Sequence, residues 1–346
     1  MKKYHMRLAA FAAISLVLTA CSASGGGTET SEASAATDLD AETQALVDEA
    51  LEAGSVTLYG MVEESALREV AADFESKYGI TVEPVRLVSA DLTQRFSSEA
   101  STGSSPADLI MLTDSPFYDE ALEEEWITPF SEVELPESLV GEFPEEFYTH
   151  DGDTPIISFV PTDLVYNTDE VAQAPTSWEV YADPAYSGQL QIAEVDSSPA
   201  NIAFWSLMRH EFGDEFLQGI AENDPTISGG AVPGTQAVAA GEDALGHPGV
   251  LPVVESLKAS GAPVEVASLT PTTGPEIGLG LAENSPNPTG AKLLAAYLMS
   301  EEGNMHLNEA ASQISPFDPE GMDRFTRTTE IEMAEAQELK SLLGMN

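Results

Sequence analysis

The sequence predicts an α/β protein built as two lobes, with an open parallel sheet flanked by helices on both faces. Three observations carry this. From Ser55 to Leu112, β-rich and helical patterns alternate in the order β-α-β-α-β, which is the signature of a parallel sheet. About 290 residues follow the expected start of the body near Gly54, more than one lobe usually holds. No repeat with a period of about 20–50 residues is present, which argues against a solenoid or propeller.

The elements follow in order. Ser55 to Gly60 is a short β-rich run. Across Glu63 to Tyr78, Leu67, Val70, Ala71, Phe74 and Tyr78 form one apolar stripe at helical spacing, and Gly79 stands at the stop. Ile80 to Val88 returns to β chemistry, and a second helix is expected from an Asp91 cap to Ala100. Gly103 to Pro106 is a loop before the apolar strand Ala107 to Leu112, and Glu123-Glu124-Glu125 reads as a solvated helix face. Short strands are expected at Ile156–Val160 and Leu164–Tyr166, around Pro161, and another at Leu190–Glu194. Between them, Pro175 to Gly188 is rich in turns and aromatics. Helices are predicted over Pro199–Glu211, Asp214–Glu222, Thr235–Ala240 and Val250–Ser260, with a strand end at Ala244–Gly246. Strands at Val264–Ala267 and Ile277–Leu281 precede a strong helix, Pro288–Met299, and a polar terminal helix over Arg327–Leu343.

The N-terminus reads as a targeting segment. Lys2, Lys3 and Arg7 precede the apolar stretch Leu8 to Leu18, too short for a permanent span of roughly 20 residues. Residues 1–20 are therefore expected to be a signal peptide. Leu18-Thr19-Ala20-Cys21 resembles a bacterial lipobox, in which the cysteine is lipidated and becomes the first mature residue. Cys21 is the only cysteine, so the mature chain has no free thiol or disulfide and relies on its core. Ser22 to Thr37 lacks any large apolar residue and is expected to be a disordered tether, with a reach of about 20–25 Å. Residues 21–53 together are expected to leash the body to the outer face of the membrane.

The net charge of −46 excludes a nucleic-acid partner, since phosphate contacts need clusters of Lys and Arg. Loss of the leader leaves 10 of the 13 cations against all 59 acids, so the body also repels anionic headgroups and touches the membrane through the Cys21 lipid only. Catalytic motifs are missing. There is no nucleophile elbow and no phosphate-loop lysine, and the glycine-rich Gly229 to Gly234 is not followed by Lys-Ser/Thr. His150, His210, His247 and His306 lie 37 to 60 residues apart, without metal-ligand spacing. No cofactor is expected.

Against this background a resemblance stands out. The segments TLYGMVEESALREVAADFESKYGITVEPV, ADLIMLTD, LVYNTD and APTSWEVYADPAYSGQLQIAEVDSSPA resemble bacterial extracellular solute-binding proteins, most closely the ferric-ion-type receptors of ABC importers. GGAVPGTQAVAAGEDALG, GAPVEV and NPTGAKLLAAYLMSEEGNMHL keep the family order, so the resemblance spans about Val56 to Leu307. It implies a type II periplasmic-binding-protein-like fold, with the ligand in a cleft between lobes joined by hinge strands. The first lobe is expected over residues 54–158 with part of 264–315, the second over 159–263, and a helical tail over 316–346 that the sequence assigns to neither lobe. The membrane subunits of the importer are the implied partner, and the receptor is expected to act as a monomer.

The resemblance also implies the site. Loops at the carboxyl ends of strands should line it: Gly60, Met61 and Glu63; Thr113, Asp114 and Ser115; Ser197, Ser198 and Asn201; Gly229 and Gly230; and the stretch around His247, with Tyr166 as an apolar wall. In the ferric branch, Glu63 and the loop at Thr113 align with metal-ligand positions, and adjacent tyrosines follow the segment written here GEDALG. This chain has His247-Pro248-Gly249-Val250 there instead. Without the phenolate pair the anion half of the site remains. Ser197 and Ser198 precede a helix opened by Pro199, where hydroxyls and free N–H groups suit a phosphate or carboxylate; the alternative is that they only cap it. Glu63 and Asp114, facing the cleft, would hold an amine, so a zwitterionic aminoalkylphosphonate satisfies both halves.

The expected function is a lipid-anchored extracytoplasmic receptor that captures a small organic or phospho-anion by lobe closure, and not an enzyme. The alternatives are a ferric-iron receptor, a polyamine-type receptor, a secreted hydrolase on a similar body, or an adhesion lipoprotein that shows no closure.

Overall fold

The computed structural model describes residues 39–345. The leader, Cys21 and the Ser22–Thr37 tether lie outside the described residues. Among those described, no helix is long and apolar enough to cross a membrane. The expectation of a tether reaching residue 53 is corrected at its end. Helix α1 (Ala41–Ala53) is ordered, with Asp40 Oδ1 accepting from the N–H groups of Glu42 and Thr43 at 2.9 Å. Thr43, Val47 and Ala50, spaced by one turn, are buried. Asn287 Nδ2 ties the helix end down by donating to the carbonyls of Ala50 and Gly54 at 3.1 and 3.0 Å.

After α1 the elements follow in the expected β-α-β order. Strand β1 (Val56–Gly60) runs parallel to β2 (Val82–Arg86), with α2 (Glu64–Tyr78) crossing between them. The apolar stripe of α2 is buried. Its end is set by Gly79 at φ 71°, a left-handed conformation in which the N–H returns to the Glu75 carbonyl at 2.8 Å. Helix α3 (Ser89–Ala100) begins before Asp91, with Val88 at the cap position, so Asp91 lies in the first turn instead. Strand β3 (Leu109–Thr113) pairs parallel with β1. Then come α4 (Phe117–Glu123), β4 (Ile127–Thr128), α5 (Glu137–Val140), β5 (Tyr148–Thr149) and β6 (Thr154–Phe159). The glutamate run is solvated, but it terminates α4 rather than forming a helix face: Glu125 sits at φ 54°.

From β6 the chain crosses at Val160-Pro161-Thr162 into a second sheet. Its elements are β7 (Asp163–Asn167), β8 (Leu190–Ala193), α6 (Pro199–Phe212), α7 (Asp214–Glu222), β9 (Thr226–Ser228), α8 (Ala231–Ala239), β10 (Leu245–Gly249), α9 (Leu251–Ala259) and β11 (Val264–Ala267). The strand order is β11-β7-β10-β8-β9. The aromatic segment supplies Trp178 and Tyr181, both buried in this lobe's core with Phe204, Trp205 and Leu217. The chain then returns through residues 269–275 to β12 (Glu276–Ala282), α10 (Pro288–Met299), α11 (Glu301–Ala311), α12 (Pro319–Arg324) and α13 (Ala336–Leu342).

The first sheet is mixed, a correction to the all-parallel expectation. Its order is β2-β1-β3-β12-β6-β5, and β12 is antiparallel to both β3 and β6. The reason is the crossover. Coming from the second lobe, β12 enters beside the carboxyl end of β3, with Ile277 opposite Thr113, and must run the other way.

The two crossovers are bonded to each other. Val160 N–H donates to Pro275 O at 2.8 Å, and Thr162 Oγ1 donates to Thr273 O at 2.7 Å. They approach so closely at Gly274 that a Cβ there would lie 2.0 Å from the Val160 carbonyl oxygen.

The tail is a third connection between the lobes. Ile314 bridges to Phe159 of the first sheet, and Phe325 bridges to Thr272 of the returning crossover. Leu339 and Leu343 then enter the core of the second lobe. The single helix expected over Arg327–Leu343 is corrected to α13 alone. Side chains capture the backbone N–H groups that a longer helix would need: Thr328 N–H donates to Glu276 Oε1 at 2.9 Å, and Ala334 N–H to Ser206 Oγ at 3.0 Å.

Candidate functional site

Where the crossovers meet the second sheet, a cavity of about 290 Å³ opens among Ser197, Ser198, Ala200, Asn201, Gly229, Gly230, Ala231 and Pro248–Val250, with Pro161, Thr162 and Pro275 as its hinge wall. Three helices start on it. Ser198 is the N-cap of α6, Gly230 of α8 and Val250 of α9. The last two caps have no side-chain hydrogen bond. The first N–H groups of a helix lack intrahelical acceptors and carry the positive end of its dipole. Three such starts around one space make it attractive to an anion although no Lys or Arg lines it. Wider hollows of about 930 and 950 Å³ beside Gly141 and Glu142 share no residue with this cavity.

The rim is an internally bonded turn. Ser198 Oγ accepts from Asn201 N–H at 3.2 Å, so its capping role is real. Ser197 Oγ donates to Glu194 O at 2.6 Å and accepts from Asn201 Nδ2 at 2.9 Å. Of the residues expected at the site, Ser197, Ser198, Asn201, Gly229 and Gly230 are thus gathered in one place from two separate segments.

The expected first-lobe residues gather separately. Gly60 ends β1, packed on Leu67 and Met111, where a Cβ would lie 3.0 Å from Leu67. Met61 Sδ accepts from Ser89 Oγ and Thr113 Oγ1, each at 3.2 Å. Glu63 stands 3.7 Å from Arg86 in an exposed pair. Ser115 receives Tyr118 N–H on its carbonyl at 3.0 Å. Asp114 donates its N–H to Glu276 O at 2.7 Å, and its Oδ1 lies 2.7 Å from His150 Nε2. The other ring nitrogen of His150 lies 2.5 Å from Asp119 Oδ1. Burial opposes charge on this ring, but hydrogen bonds to Asp119 and Asp114 outweigh it and hold His150 above the usual histidine range. Asp114 therefore already has a hydrogen-bonding partner in His150. In the sequence His150 stands isolated, because its partners lie 31 and 36 residues away.

Two expected site residues belong to the core instead. His247 is 1% exposed, stacked on Phe204 at 3.6 Å between ring centroids and flanked by Trp178 and Trp205. Burial lowers its pKa to about 3, so it is neutral, and neither ring nitrogen has a partner. The cavity is lined by the residues that follow, Pro248 to Val250, because strand alternation turns His247 inward. Tyr166, on β7, is buried in the same core. Within the stretch expected around His247, the lining residues are thus Pro248 to Val250; Thr162 and Pro275 have no counterpart in the sequence reading, since a crossover has no pattern that points it into a site.

A family model described as "Bacterial extracellular solute-binding protein" matches residues 57–310. No curated protein matches the sequence. Among solved structures, the iron-bound HitA of Pseudomonas aeruginosa is 20% identical, covering 84% of this chain and 98% of its own at a TM-score of 0.59. The substrate-binding protein of an ABC transporter from Agrobacterium tumefaciens is 12% identical, covering 84% and 94% at 0.61. AfuA of Actinobacillus pleuropneumoniae, solved with fructose-6-phosphate, is 18% identical, covering 84% and 97% at 0.54. These structures share the two-lobed α/β fold.

Proposed function

The chain belongs to the bacterial extracellular solute-binding proteins, and on that premise we propose that it is a receptor for a small phospho- or carboxylate anion, held in the second-lobe cavity. The family is one of non-enzymatic receptors that work outside the cytoplasm and hand a small molecule to the membrane subunits of an ABC importer. The finer reading is supported by one observation above the others: α6, α8 and α9 all start on a cavity whose wall mixes hydroxyls and glycines with proline, alanine and valine and holds no charged side chain. Such a site stabilises negative charge by fixed dipoles and leaves the acidic body outside. The fructose-6-phosphate in AfuA makes a sugar phosphate a natural member of the ligand panel. The anchor in this reading is a lipid on Cys21, supported by the Leu18-Thr19-Ala20-Cys21 motif behind the apolar leader.

Ferric iron is the second reading, favoured by the iron bound in HitA. Against it, the position of the tyrosine pair is taken by His247 and Pro248. Among the described residues, no group of three or more His, Cys, Asp and Glu is arranged to hold a metal. Closure over an anion is expected to bring the Met61–Thr113 rim of the first lobe onto the cavity.

A thermal-shift panel separates these readings. It contains inorganic phosphate, sugar phosphates, 2-aminoethylphosphonate, dicarboxylates, polyamines and ferric citrate. A ligand at 100 times its Kd adds about 2.7 kcal/mol and raises Tm by several degrees. Stabilisation by a phospho- or carboxylate ligand is the expected result. Stabilisation by ferric citrate or a polyamine alone would replace the anion reading.

A further inference from the structure

The cavity has no cation in its wall, yet two carboxylates lie next to it in sequence, Glu194 and Asp196, just ahead of Ser197 and Ser198. Unpaired acids on the segment that forms its rim would work against an anion site. The structure shows what answers them. Lys340 of α13 places Nζ 2.5 Å from Glu194 Oε1 and 3.2 Å from Asp196 Oδ2, and the Lys340 side chain is only 19% exposed. Its two partners lie about 145 residues back in the chain, so the tail delivers this charge.

Glu194 is also the residue whose backbone assembles the cavity rim. Its N–H donates to Ser228 O at 2.9 Å, tying the rim to the strand that leads into Gly229. Its carbonyl accepts from Ser197 N–H at 3.1 Å, Ser197 Oγ at 2.6 Å and Asn201 Nδ2 at 3.1 Å. The side chain that Lys340 grips therefore belongs to the residue that orients Ser197 and Asn201. Leu339 and Leu343, buried in the second-lobe core on either side of Lys340, fix the helix that carries the ammonium.

We propose that Lys340 is a positioning residue for the anion site, neutralising Glu194 and Asp196 and holding the 194–198 turn, in which Ser197 is bonded to the Glu194 carbonyl, so that the Ser198 hydroxyl is presented to an incoming anion. This rests on the anion reading above and assigns a binding role to the C-terminal helix. Lys340 does not touch the ligand. It acts by keeping two negative charges paired and turned toward the tail, an effect that salt screens.

The test is calorimetric titration of the full-length chain in detergent with 2-aminoethylphosphonate and with inorganic phosphate, at about 0.02 M and about 0.5 M salt. Lys340→Met is expected to weaken binding roughly three- to tenfold at low salt and less at high salt. Lys340→Arg is expected to keep near-native affinity. Adding Glu194→Gln and Asp196→Asn to Lys340→Met is expected to restore it, since no unpaired acid then remains. Wild type that binds while Lys340→Met binds equally well at low salt overturns this inference and leaves the anion reading standing. A loss that neither salt, the arginine variant nor the added neutral substitutions change means a packing role only, and also overturns it. Wild type that binds neither these two probes nor the sugar phosphates and dicarboxylates of the panel overturns the anion reading itself, and this inference with it.

Discussion

Arg327 sets both Nε and Nη2 on the same oxygen of Glu276, Oε2, at 2.9 and 2.8 Å, and both residues are buried. The other oxygen of Glu276 takes the N–H and hydroxyl of Thr328 at 2.9 and 3.0 Å. Nearby, Arg324 Nη1 holds Asp163 Oδ1 at 2.9 Å. Asp163 opens β7 and Glu276 opens β12, so each crossover ends on a carboxylate that the tail grips. The carbonyl of Glu276 also receives the N–H of Asp114, which links this lock to the first-lobe rim.

Arg327→Met should therefore be strongly destabilising. It leaves the Glu276 carboxylate buried and unpaired, which costs about 3–5 kcal/mol. Chemical denaturation of the variant reads this directly. Pairing Arg327→Met with Glu276→Met should recover much of the loss, since two well-packed apolar groups can replace a buried ion pair. An Arg327→Met midpoint equal to wild type would remove the pair from the account of the hinge.

Ser198→Asp should weaken binding of an anionic ligand by several kcal/mol, because a like charge then sits where the anion should. The fold should persist, since Asp caps helices as well as Ser does. Isothermal titration with the best ligand of the panel, together with a melting curve, separates the two effects. Unchanged affinity would take Ser198 out of the site.

His247 makes the second lobe sensitive to acid. Its folded pKa is about 3 against an ordinary 6.5, so the unfolded chain takes up a proton that the folded chain refuses. Above about 6.5 the ring is neutral in both states and adds no pH dependence, and stability is lost as the pH falls from there toward 3. His247→Leu should flatten that part of the stability profile. It should also stabilise the protein at neutral pH by about 1 kcal/mol or more, since it removes two unpartnered buried nitrogens. Ligand affinity should stay unchanged. A drop in affinity would place the ring in the site after all.

Cys21→Ala should release the protein from membranes without altering its melting curve. The first described helix, α1, starts at Ala41, well after Cys21 in the sequence. Fractionation of cells that express the variant checks this. Persistent membrane association would assign the anchor to some other contact.

Much of the fold is legible in the sequence because it is local. The stripe Leu67, Val70, Ala71, Phe74, Tyr78 and the stop at Gly79 specify α2 with no outside partner. Ser198 before Pro199 specifies the start of α6 in the same way. The acidic composition and the leader likewise set the class of partner and the compartment to expect. Errors cluster where a distant group overrides local preference. Residues 327–335 carry a helical pattern, but Glu276 and Ser206 take their N–H groups. The apolar pattern of α1 is short and sparse, and it becomes a helix only because Asn287 and the first-lobe core receive it.

The site divides along the same line. From the sequence, the family resemblance pointed to Ser197, Ser198 and Asn201, with Gly229 and Gly230 beside them; the hydroxyls at a helix start are the part with a local chemical meaning of its own. Tertiary structure alone decided that α8 and α9 open onto the same cavity as α6, that His247 turns into an aromatic core while Pro248 faces the cavity, and that His150 engages Asp114. It also decided that Lys340 reaches back to Glu194 and Asp196. The physical reason is that helix periodicity and capping act within a few residues, whereas charge pairing and cavity walls are made by groups that meet only after the two sheets, the crossovers and the tail have packed.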